Sequence, residues 1–303
     1  MNAPALPARH LALALAVVFV WGTNFVAIKW VLEVLPPFLF AVLRFAFALL
    51  PAALFVKRPA VPWRHLAAYG VLIGAGQFGL LYLAIRADIT PGLASLVVQT
   101  QVFFTIGLAI VLAGERVQAF QWLALALAAA GLAVIGLHTD AATTPLGLAL
   151  VLAAALSWAG GNIVARASGR VDMLGYVVWS SLFALPPLAL LSLLVEGLPV
   201  IRSALAAADA STWGLVLWQS VGNTLFGYAA WGWLLARHPA ATVAPMALLV
   251  PVFGISASAL ALGEPLQAWK LGAAALVLGG LALNVFWPRV RALRVRGGAE
   301  RDA

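Results

Sequence analysis

Two pairs of tryptophan and asparagine lie near the middle of two apolar segments that are almost half a chain apart. Trp21 and Asn24 are spaced i, i+3, so they share one helix face. Trp158 and Asn162 are spaced i, i+4 and share a face as well. Indole and amide groups in an apolar surrounding suit the binding of a small molecule through hydrogen bonds and ring contacts. These residues are therefore candidates for a binding site.

Other polar and aromatic side chains fall at a similar depth in further apolar segments. Amides at that depth should face protein or a water-filled cavity and not lipid. As links between helices they would contribute roughly 0.6 kcal/mol each, and for any single amide this role competes evenly with substrate contact. For the whole set, converging polar faces favour a cavity. The candidate substrate-binding residues are Trp21, Asn24, Gln77, Tyr82, Gln99, Gln101, Trp158, Asn162, Trp179, Trp218, Gln219 and Asn223.

Arg44 is the charged residue that lies well inside an apolar segment. A cation within the membrane is a candidate functional residue, and this one could attract a carboxylate of a substrate. However, it lies only about 10 Å from the start of its helix at the usual rise per residue. Its side chain could therefore reach the outer interface or bind carbonyls at the helix end. Carboxylate contact and a scaffold role both remain open, with the scaffold slightly favoured.

Acidic and histidine side chains fall only at the ends of the apolar segments or between them. All ten acidic residues and all four histidines follow this pattern. We therefore expect no buried carboxylate for proton coupling, no acid–base pair or metal site for an enzyme, and no cofactor. The absence of cysteine excludes disulfides and thiol chemistry. Facilitated, gradient-driven transport is the expected mode.

The composition places these side chains in a membrane. Hydrophobic residues make up 64% of the chain and charged residues only 9%. Lipid offers backbone groups no partner, so the predicted fold is an all-α integral membrane protein. Ten segments of about 20 residues are long enough to span the hydrocarbon layer. They are residues 11–32, 37–56, 66–86, 91–113, 119–137, 145–166, 174–195, 212–236, 240–262 and 267–287.

The positions of Lys and Arg predict the orientation, because cytoplasmic loops retain positive charge. A cytoplasmic N-terminus leaves only Lys29, Arg86, Arg202 and Lys270 outside, of 18 cations in all. Ten spans then return the C-terminus to the cytoplasm, with residues 289–303 as a basic tail. The net charge of +8 is thus a topology signal, and the expected partners are the bilayer and a small molecule, without nucleic acid. A monomer is compatible with the sequence, which does not determine the oligomeric state.

Internal similarity predicts a duplication. A shift of 137 residues places Trp158 on Trp21, and a shift of 149 places residues 263–269 on residues 114–120. The repeats would occupy residues 1–140 and 141–288.

Each predicted repeat contains five spans, and this odd number would invert the second copy in the membrane. Inverted halves can exchange inward-open and outward-open shapes around a site near the midplane, which favours a transporter over a merely stable packing of ten helices. In that arrangement we expect Trp158 and Asn162 to contact substrate, with Trp21 and Asn24 as partner or gate.

Four prolines and two glutamates are further candidates. Pro186, Pro187, Pro245 and Pro251 lie inside predicted spans and could supply bends for gating, although kinks fixed for packing explain them almost as well. Glu115 and Glu264 each follow a glycine between two spans. They are interpreted as hairpin punctuation and not as coupling residues.

The whole chain resembles the drug/metabolite transporter superfamily and its EamA-type branch of ten-helix exporters. The resemblance is carried by Trp-Gly-Thr-Asn at 21–24, Leu-Arg-Phe at 43–45, and residues 90–95, 114–116, 240–245 and 263–265. Within the branch, the chain also resembles aromatic amino-acid exporters. The resemblance implies efflux of small metabolites through a central cavity between the halves, in the bacterial inner membrane.

These observations predict export of small neutral or zwitterionic metabolites by alternating access, with amino acids, including aromatic ones, as the expected class. Proton-coupled efflux of drugs or lipophilic cations is the alternative. A membrane-embedded enzyme or a receptor fits the short loops and the edge positions of the acidic residues less well.

Overall fold

The computed structural model describes residues 6–113, 118–140, 142–238 and 240–299, and apolar helices make up nearly all of this part. Glu115 and the last residues of the basic tail, 300–303, lie outside it. The helices are α1 (Ala8–Val34), α2 (Pro37–Leu54), α3 (Trp63–Arg86), α4 (Pro91–Leu112), α5 (Ala119–Leu137), α6 (Pro145–Ala167), α7 (Met173–Glu196), α8 (Leu198–Ala207), α9 (Ala210–Arg237), α10 (Ala244–Leu262) and α11 (Ala268–Trp287). The helical backbone of α11 continues to Ala299.

Within the described ranges, nine helices are each long and apolar enough to span a membrane, namely α1–α7, α10 and α11. The helices α8 and α9 pass the same test together and are bent by 104° where they meet. Counted as one span, they bring the number of candidate spans to the ten that the sequence predicts. The segment after Glu196, which lies between the predicted spans 174–195 and 212–236, is mostly the helix α8. Polar residues in the middle of α9, including Gln219 and Asn223, reduce the hydrophobicity of this span.

Six of the described spans depart from regular α-helix. The helix α2 ends in a 3₁₀ turn at Ala52–Leu54 and α7 ends in a π-helical turn at Ser192–Glu196, whereas the other four are interrupted at corresponding places in the two halves. The helix α3 contains a π-helical segment at Leu72–Gly79, and α9 contains one at Trp218–Phe226. The helix α4 contains a 3₁₀ turn at Val98–Thr100, and a 3₁₀ segment at Ala244–Leu248 begins α10. π-Helical turns are rare and often accompany functional sites. The two π segments therefore indicate where to look for such a site.

The prolines predicted to bend helices lie in the spans expected. Pro186 and Pro187 are inside the α-helical part of α7. Pro245 lies in the 3₁₀ segment of α10, and Pro251 is buried one to two turns later. Their role in gating stays a prediction.

Carboxylates join different helices at the end of the bundle that is predicted to face outward. Glu196 accepts hydrogen bonds from the backbone N–H groups of Phe38 and Leu39, 2.6 and 3.0 Å long, at the start of α2. Glu264 accepts a 3.0 Å bond from the backbone N–H of Gly92 at the start of α4. Negative side chains stabilise the positive end of a helix, so both carboxylates hold helix starts in place.

Glu264 therefore has more contacts than the hairpin role predicted for it. It also accepts a hydrogen bond from the Thr90 hydroxyl and forms a 3.0 Å ion pair with Lys270. Gly263 before it has a positive φ of 66°, as expected for a glycine that ends a helix. The hairpin interpretation was correct for Gly263 but incomplete for Glu264, because sequence spacing could not show that α4 begins beside this hairpin.

Asp209 caps the start of α9 at the same end. Its carboxylate accepts hydrogen bonds from the backbone N–H and the hydroxyl of Thr212, 2.8 and 2.7 Å long. These bonds, together with one from Ser211, lower the pKa of Asp209 to about 2. The cap therefore stays ionised at physiological pH and fixes where α9 begins after the sharp bend.

The opposite end, predicted to be cytoplasmic, brings together α1 and α9. Nδ1 of His10 lies 2.7 Å from Nε2 of His238. Beneath this pair, an apolar cluster is formed by Ala14, Leu234 and Val243. The bundle is thus closed by side-chain contacts at both ends.

Candidate functional site

Arg44 lies at the centre of a buried polar cluster between α2, α3 and α9. Its guanidinium donates to the Tyr82 hydroxyl at 2.6 Å and to the side-chain oxygens of Gln219 and Asn223 at 3.3 and 3.1 Å. It also donates to the Thr224 hydroxyl, at 3.0 Å from Nη2 and 3.3 Å from Nε. We call these five residues the Arg44 cluster. The side chain is only 1% exposed, so it does not reach the outer interface, the alternative that its position near the helix start had left open.

No carboxylate of the described residues pairs with Arg44, although a buried cation is costly without compensation. The five N–H donors of a guanidinium meet only neutral acceptors here. The ring of Phe78 adds a cation–π contact, with its centroid 3.7 Å from Cζ of Arg44. The charge is therefore held by dipoles and an aromatic face, and it is not neutralised.

A small cavity adjoins the Arg44 cluster. Its walls include Arg44 and Thr224 as well as aromatic and hydroxyl residues from α3, α7 and α9. Its volume of about 10 Å³ holds at most about one water molecule. In this structure the cavity is too small for a metabolite, and we call this arrangement the closed state. The lining residues are Arg44, Phe45, Tyr69, Gly70, Ile73, Phe78, Val177, Ser180, Ser181, Thr224 and Tyr228.

Two further sequence shifts, which the motif pairs alone do not reveal, relate the cluster to the cavity. A shift of 146 residues places Asn223 on Gln77 and Tyr228 on Tyr82, inside and just after the two π segments. A shift of 136 places residues 183–187 on residues 47–51, with four identities in five, and thereby Ser180 on Arg44. Both shifts can be found in the sequence. They stand out as a structural correspondence only when the positions of the two π segments are known.

The same relation holds in the packing. In one half, Ser220 of α9 donates a 2.9 Å hydrogen bond to the backbone oxygen of Arg44. In the other, the equivalent Gly74 of α3 also packs against α7, but about one turn beyond Ser180, at Ala184, where a Cβ would clash. The residues expected around Ser180 by this relation include Ile73 and Tyr228, and both line the cavity. By these sequence shifts Ser180, Ile73 and Tyr228 of the cavity correspond to Arg44, Gln219 and Tyr82 of the cluster, and we call the cavity the counterpart cavity.

Four of the predicted site residues come together at this place. Tyr82, Gln219 and Asn223 bind Arg44, and Nε1 of Trp21 donates a 3.2 Å hydrogen bond to the backbone oxygen of Asn223. The ring of Trp21 also contacts Tyr228, with centroids 5.9 Å apart. Trp21 thus connects α1 to the π segment of α9.

Three other predicted amides link helices. Nδ2 of Asn162 donates to the side-chain oxygen of Gln101 at 2.7 Å and to the Thr105 hydroxyl at 3.3 Å, which joins α6 to α4. Gln99 donates to the backbone oxygen of Ala247 at 3.5 Å. Trp158 is partly buried against the main apolar core. The prediction that Trp158 and Asn162 contact substrate is untested, and these bonds are those expected of helix links.

Two predicted tryptophans lie away from the cluster. Trp179 donates a 2.9 Å hydrogen bond to the backbone oxygen of Val56 and packs near Trp63 at the predicted cytoplasmic end. Trp218 is 42% exposed on the bundle surface. Depth in a span does not determine the direction of a side chain around the helix axis, so sequence position alone could not separate these two from Trp21.

Asn24, Gln77 and Gln219 are buried and keep a side-chain atom without a hydrogen-bond partner. The atoms are Oδ1 of Asn24, Oε1 of Gln77 and Nε2 of Gln219. Buried polar groups without partners are uncommon and call for a reason. By the 146-residue shift Gln77 corresponds to Asn223, whose side-chain oxygen binds Arg44, whereas Oε1 of Gln77 has no such partner.

Comparison with known proteins assigns the chain to a family. A model of the EamA-like transporter family matches residues 9–137 and 145–286. The chain belongs to the EamA-like transporter family. With its apolar helices, this EamA-like chain is a membrane transporter and a multi-pass protein of the bacterial inner membrane. In the described part, no group of three His, Asp or Glu residues could hold a metal ion.

The EamA-like chain has well-matched relatives. It is 44% identical to a protein of Salmonella typhimurium and 41% identical to one of Escherichia coli, in each case over 92% of this chain and 95% of the relative. Both relatives are named probable amino-acid metabolite efflux pump. A shorter match, 28% identical over 173 residues, is to an inner membrane transporter of Escherichia coli. A solved crystal structure shares the fold, with a TM-score of 0.60 at 19% identity over 94% of this chain and 99% of the other.

Proposed function

We propose that the chain exports small neutral or zwitterionic metabolites, chiefly amino acids including aromatic ones, by alternating access. The Arg44 cluster carries this proposal, because it unites polar groups of both halves at membrane depth beside an aromatic-walled cavity. Small-molecule sites combine apolar walls with a few placed polar groups in this way. The names of the two most similar relatives reported above support both the direction and the class of solute.

Alternating access would follow from two inverted repeats, residues 1–140 and 141–288, with both termini in the cytoplasm. The paired π segments of α3 and α9 support this arrangement, because interrupted helices at corresponding places often flank the site in such transporters. The present closed state would open toward one side when the contacts of Glu196 and Glu264 separate. It would open toward the other when α1 and α9 separate near His10.

Transport is proposed to be facilitated by the solute gradient. The carboxylates of Glu196, Asp209 and Glu264 are bound to helix starts at one end of the bundle and not beside Arg44. A proton coupling device would instead need a carboxylate that proton and substrate can occupy in turn within the membrane. A cation at the site also disfavours lipophilic cations as substrates, because like charges repel.

The test is counterflow and gradient-driven uptake in proteoliposomes with neutral amino acids, amino-acid amides and one lipophilic cation. We expect exchange of several neutral amino acids, no exchange of the cation, and no accumulation driven by a pH gradient. Protein-free liposomes give the baseline. Transport of the cation with failure of every amino acid would refute the proposed substrate class. Uphill transport driven by a proton gradient would refute the facilitated mode alone.

A further inference from the structure

We propose that Arg44 binds the carboxylate of the substrate, and that this carboxylate replaces the hydrogen bonds by which Arg44 holds α9. The inference rests on the proposed function and specifies how that site recognises its solute. The recognised class is a carboxylate attached to an apolar or aromatic group. The carboxylate lies at the Arg44 cluster, and the apolar group occupies the enlarged counterpart cavity.

The first argument is the charge of the closed state. Arg44 has five hydrogen bonds, but two of them are 3.3 Å long and all five go to neutral oxygens. A carboxylate accepts two parallel bonds from a guanidinium, about 2.7–2.9 Å long, and these are roughly twice as strong as neutral ones. A substrate carboxylate is therefore a better partner than the amides of α9, and it supplies the missing negative charge.

The second argument is an unused donor beside the guanidinium. Gln219 is fully buried, its oxygen accepts from Arg44, and its Nε2 has no partner. An amide that faces a cation with its oxygen must point its N–H₂ elsewhere. When a substrate carboxylate replaces the Gln219 oxygen as the acceptor of the guanidinium, rotation of this amide allows Nε2 to donate to the same carboxylate. The unpaired atom is thus explained as a second donor for the bound anion.

The third argument is the asymmetry between the halves. Ser180 stands where the repeat relation would place a second arginine, and Ile73 stands where it would place a second Gln219. One side of the site is therefore cationic and rich in donors, and the other is lined by apolar and aromatic groups such as Ile73, Val177 and Tyr228. A single cation suits one carboxylate. Phosphate would be expected to require several.

Substrate binding would also release the two halves. In the closed state, Arg44 of the first half holds Gln219, Asn223 and Thr224 of the second. If the carboxylate accepts the hydrogen bonds that Arg44 donates, the π segment of α9 loses its link to α2 and can move. Occupancy of the site and opening of the bundle are then coupled without a bound proton.

The experiment measures how well unlabelled compounds compete with a labelled neutral amino acid, such as phenylalanine or leucine, in proteoliposome counterflow. The compounds are the amino acid, its carboxamide, and the matching carboxylic acid without the amino group. We expect the carboxamide to compete at least about tenfold more weakly than the amino acid, because a buried site left with unpaired donors rejects such analogues. The acid without the amino group should still compete.

Two variants assign the effect to Arg44. In Arg44→Gln the preference for amino acid over carboxamide should disappear. The matched control is Arg86→Gln, because Arg86 is exposed at a span end and donates only a 3.4 Å bond to a backbone oxygen. This control should keep the preference.

Asn223→Asp tests the role of Arg44 with a substitution that preserves the side-chain volume at position 223. The new carboxylate would pair with Arg44 permanently and compete with the substrate, so the half-saturation concentration should rise at least about tenfold. A purely structural Arg44 would tolerate or gain from this substitution, and an unchanged half-saturation concentration would overturn the proposal.

The outcomes separate the two levels of inference. If amino acids are exchanged but their carboxamides compete equally well in the unmodified protein, the role of Arg44 is refuted and the proposed function stands. Retention of the preference in Arg44→Gln also refutes the role of Arg44 and leaves the proposed function intact. If no amino acid is exchanged, both proposals fall.

Discussion

At the scale of single residues, the contribution of a buried amide depends on the partner that it contacts. Asn223 and Gln77 occupy equivalent places in the two π segments and are both about 5% exposed. Asn223 accepts a 3.1 Å hydrogen bond from Arg44, whereas Oε1 of Gln77 has no partner. Hydrogen bonds to charged groups stabilise proteins by about 1.5–3 kcal/mol. The two amides should therefore differ in their effect on stability.

We predict that Asn223→Ala lowers the free energy of unfolding by about 1.5–3 kcal/mol, because it leaves a buried guanidinium N–H unpaired. The matched Gln77→Ala should cost less, since it also removes an unsatisfied oxygen. Reversible unfolding of the purified protein in mixed micelles provides the measurement. Equal losses in both variants would mean that the bond to Arg44 is not what makes Asn223 important.

At the scale of elements, the starts of α2 and α4 are held by carboxylates that arrive from elsewhere in the chain. Glu264 links the start of α4 to the hairpin between α10 and α11, through Gly92, Thr90 and Lys270. Since α4 belongs to the first half and the hairpin to the second, separation of the halves at this end must break these bonds. Glu264 is thus a contact of the closed state as well as a helix cap.

Glu264→Gln should increase the time that the predicted outer end is open. The native chain has no cysteine, so a single Ser95→Cys can report access, because Ser95 is fully buried beneath the start of α4. We expect faster modification by a membrane-impermeant maleimide in the Glu264→Gln background. The control is Glu33→Gln, at an exposed position at the end of α1. Equal rates in the two backgrounds would show that Glu264 does not hold this end closed.

At the scale of the whole molecule, the proposed mechanism requires the second repeat to be inverted. The helices α5 and α6 meet near residues 138–144, and α6 and α7 meet near residues 168–172. In the proposed topology the first connection lies outside the membrane and the second lies in the cytoplasm. These two connections flank the sixth span, where the proposed second repeat begins. The side of the membrane on which each connection lies therefore shows the direction of this span.

Single cysteines at exposed positions in or next to these connections test the topology. Ala142→Cys should react with an impermeant maleimide in right-side-out membranes, and Ala167→Cys should react only after permeabilisation. The two variants serve as controls for each other, because both introduce a thiol next to a helix end in a chain that lacks cysteine. The opposite labelling pattern would reverse the proposed orientation, and equal labelling would contradict the sixth span.

The sequence predicted the helices and the kind of residues that enter the site, for physical reasons that act locally. Membrane thickness and the need to satisfy backbone groups within a segment determine which segments can be spanning helices, so the limits of α6, at Pro145–Ala167, nearly match residues 145–166. The cost of polar groups in lipid likewise made Arg44 and Asn223 visible as candidates. The relation of Ser180 to Arg44 is also present in the sequence, although the two π segments are needed to recognise it.

The tertiary structure determined which candidates meet. Trp21 and Trp218 were both predicted as site residues, yet one binds the backbone at Asn223 and the other is exposed at the surface. The direction of a side chain around its helix depends on the turns before it. The π segment that begins at Trp218 changes the register of the residues after it, Asn223 among them, in a way that hydropathy does not reveal. Arg44 could have pointed to the interface, and only the packing of α2 against α3 and α9 placed it among four neutral partners. The sequence determined which polar residues must face protein and not lipid. The long-range packing of helices determined which of these residues share a site.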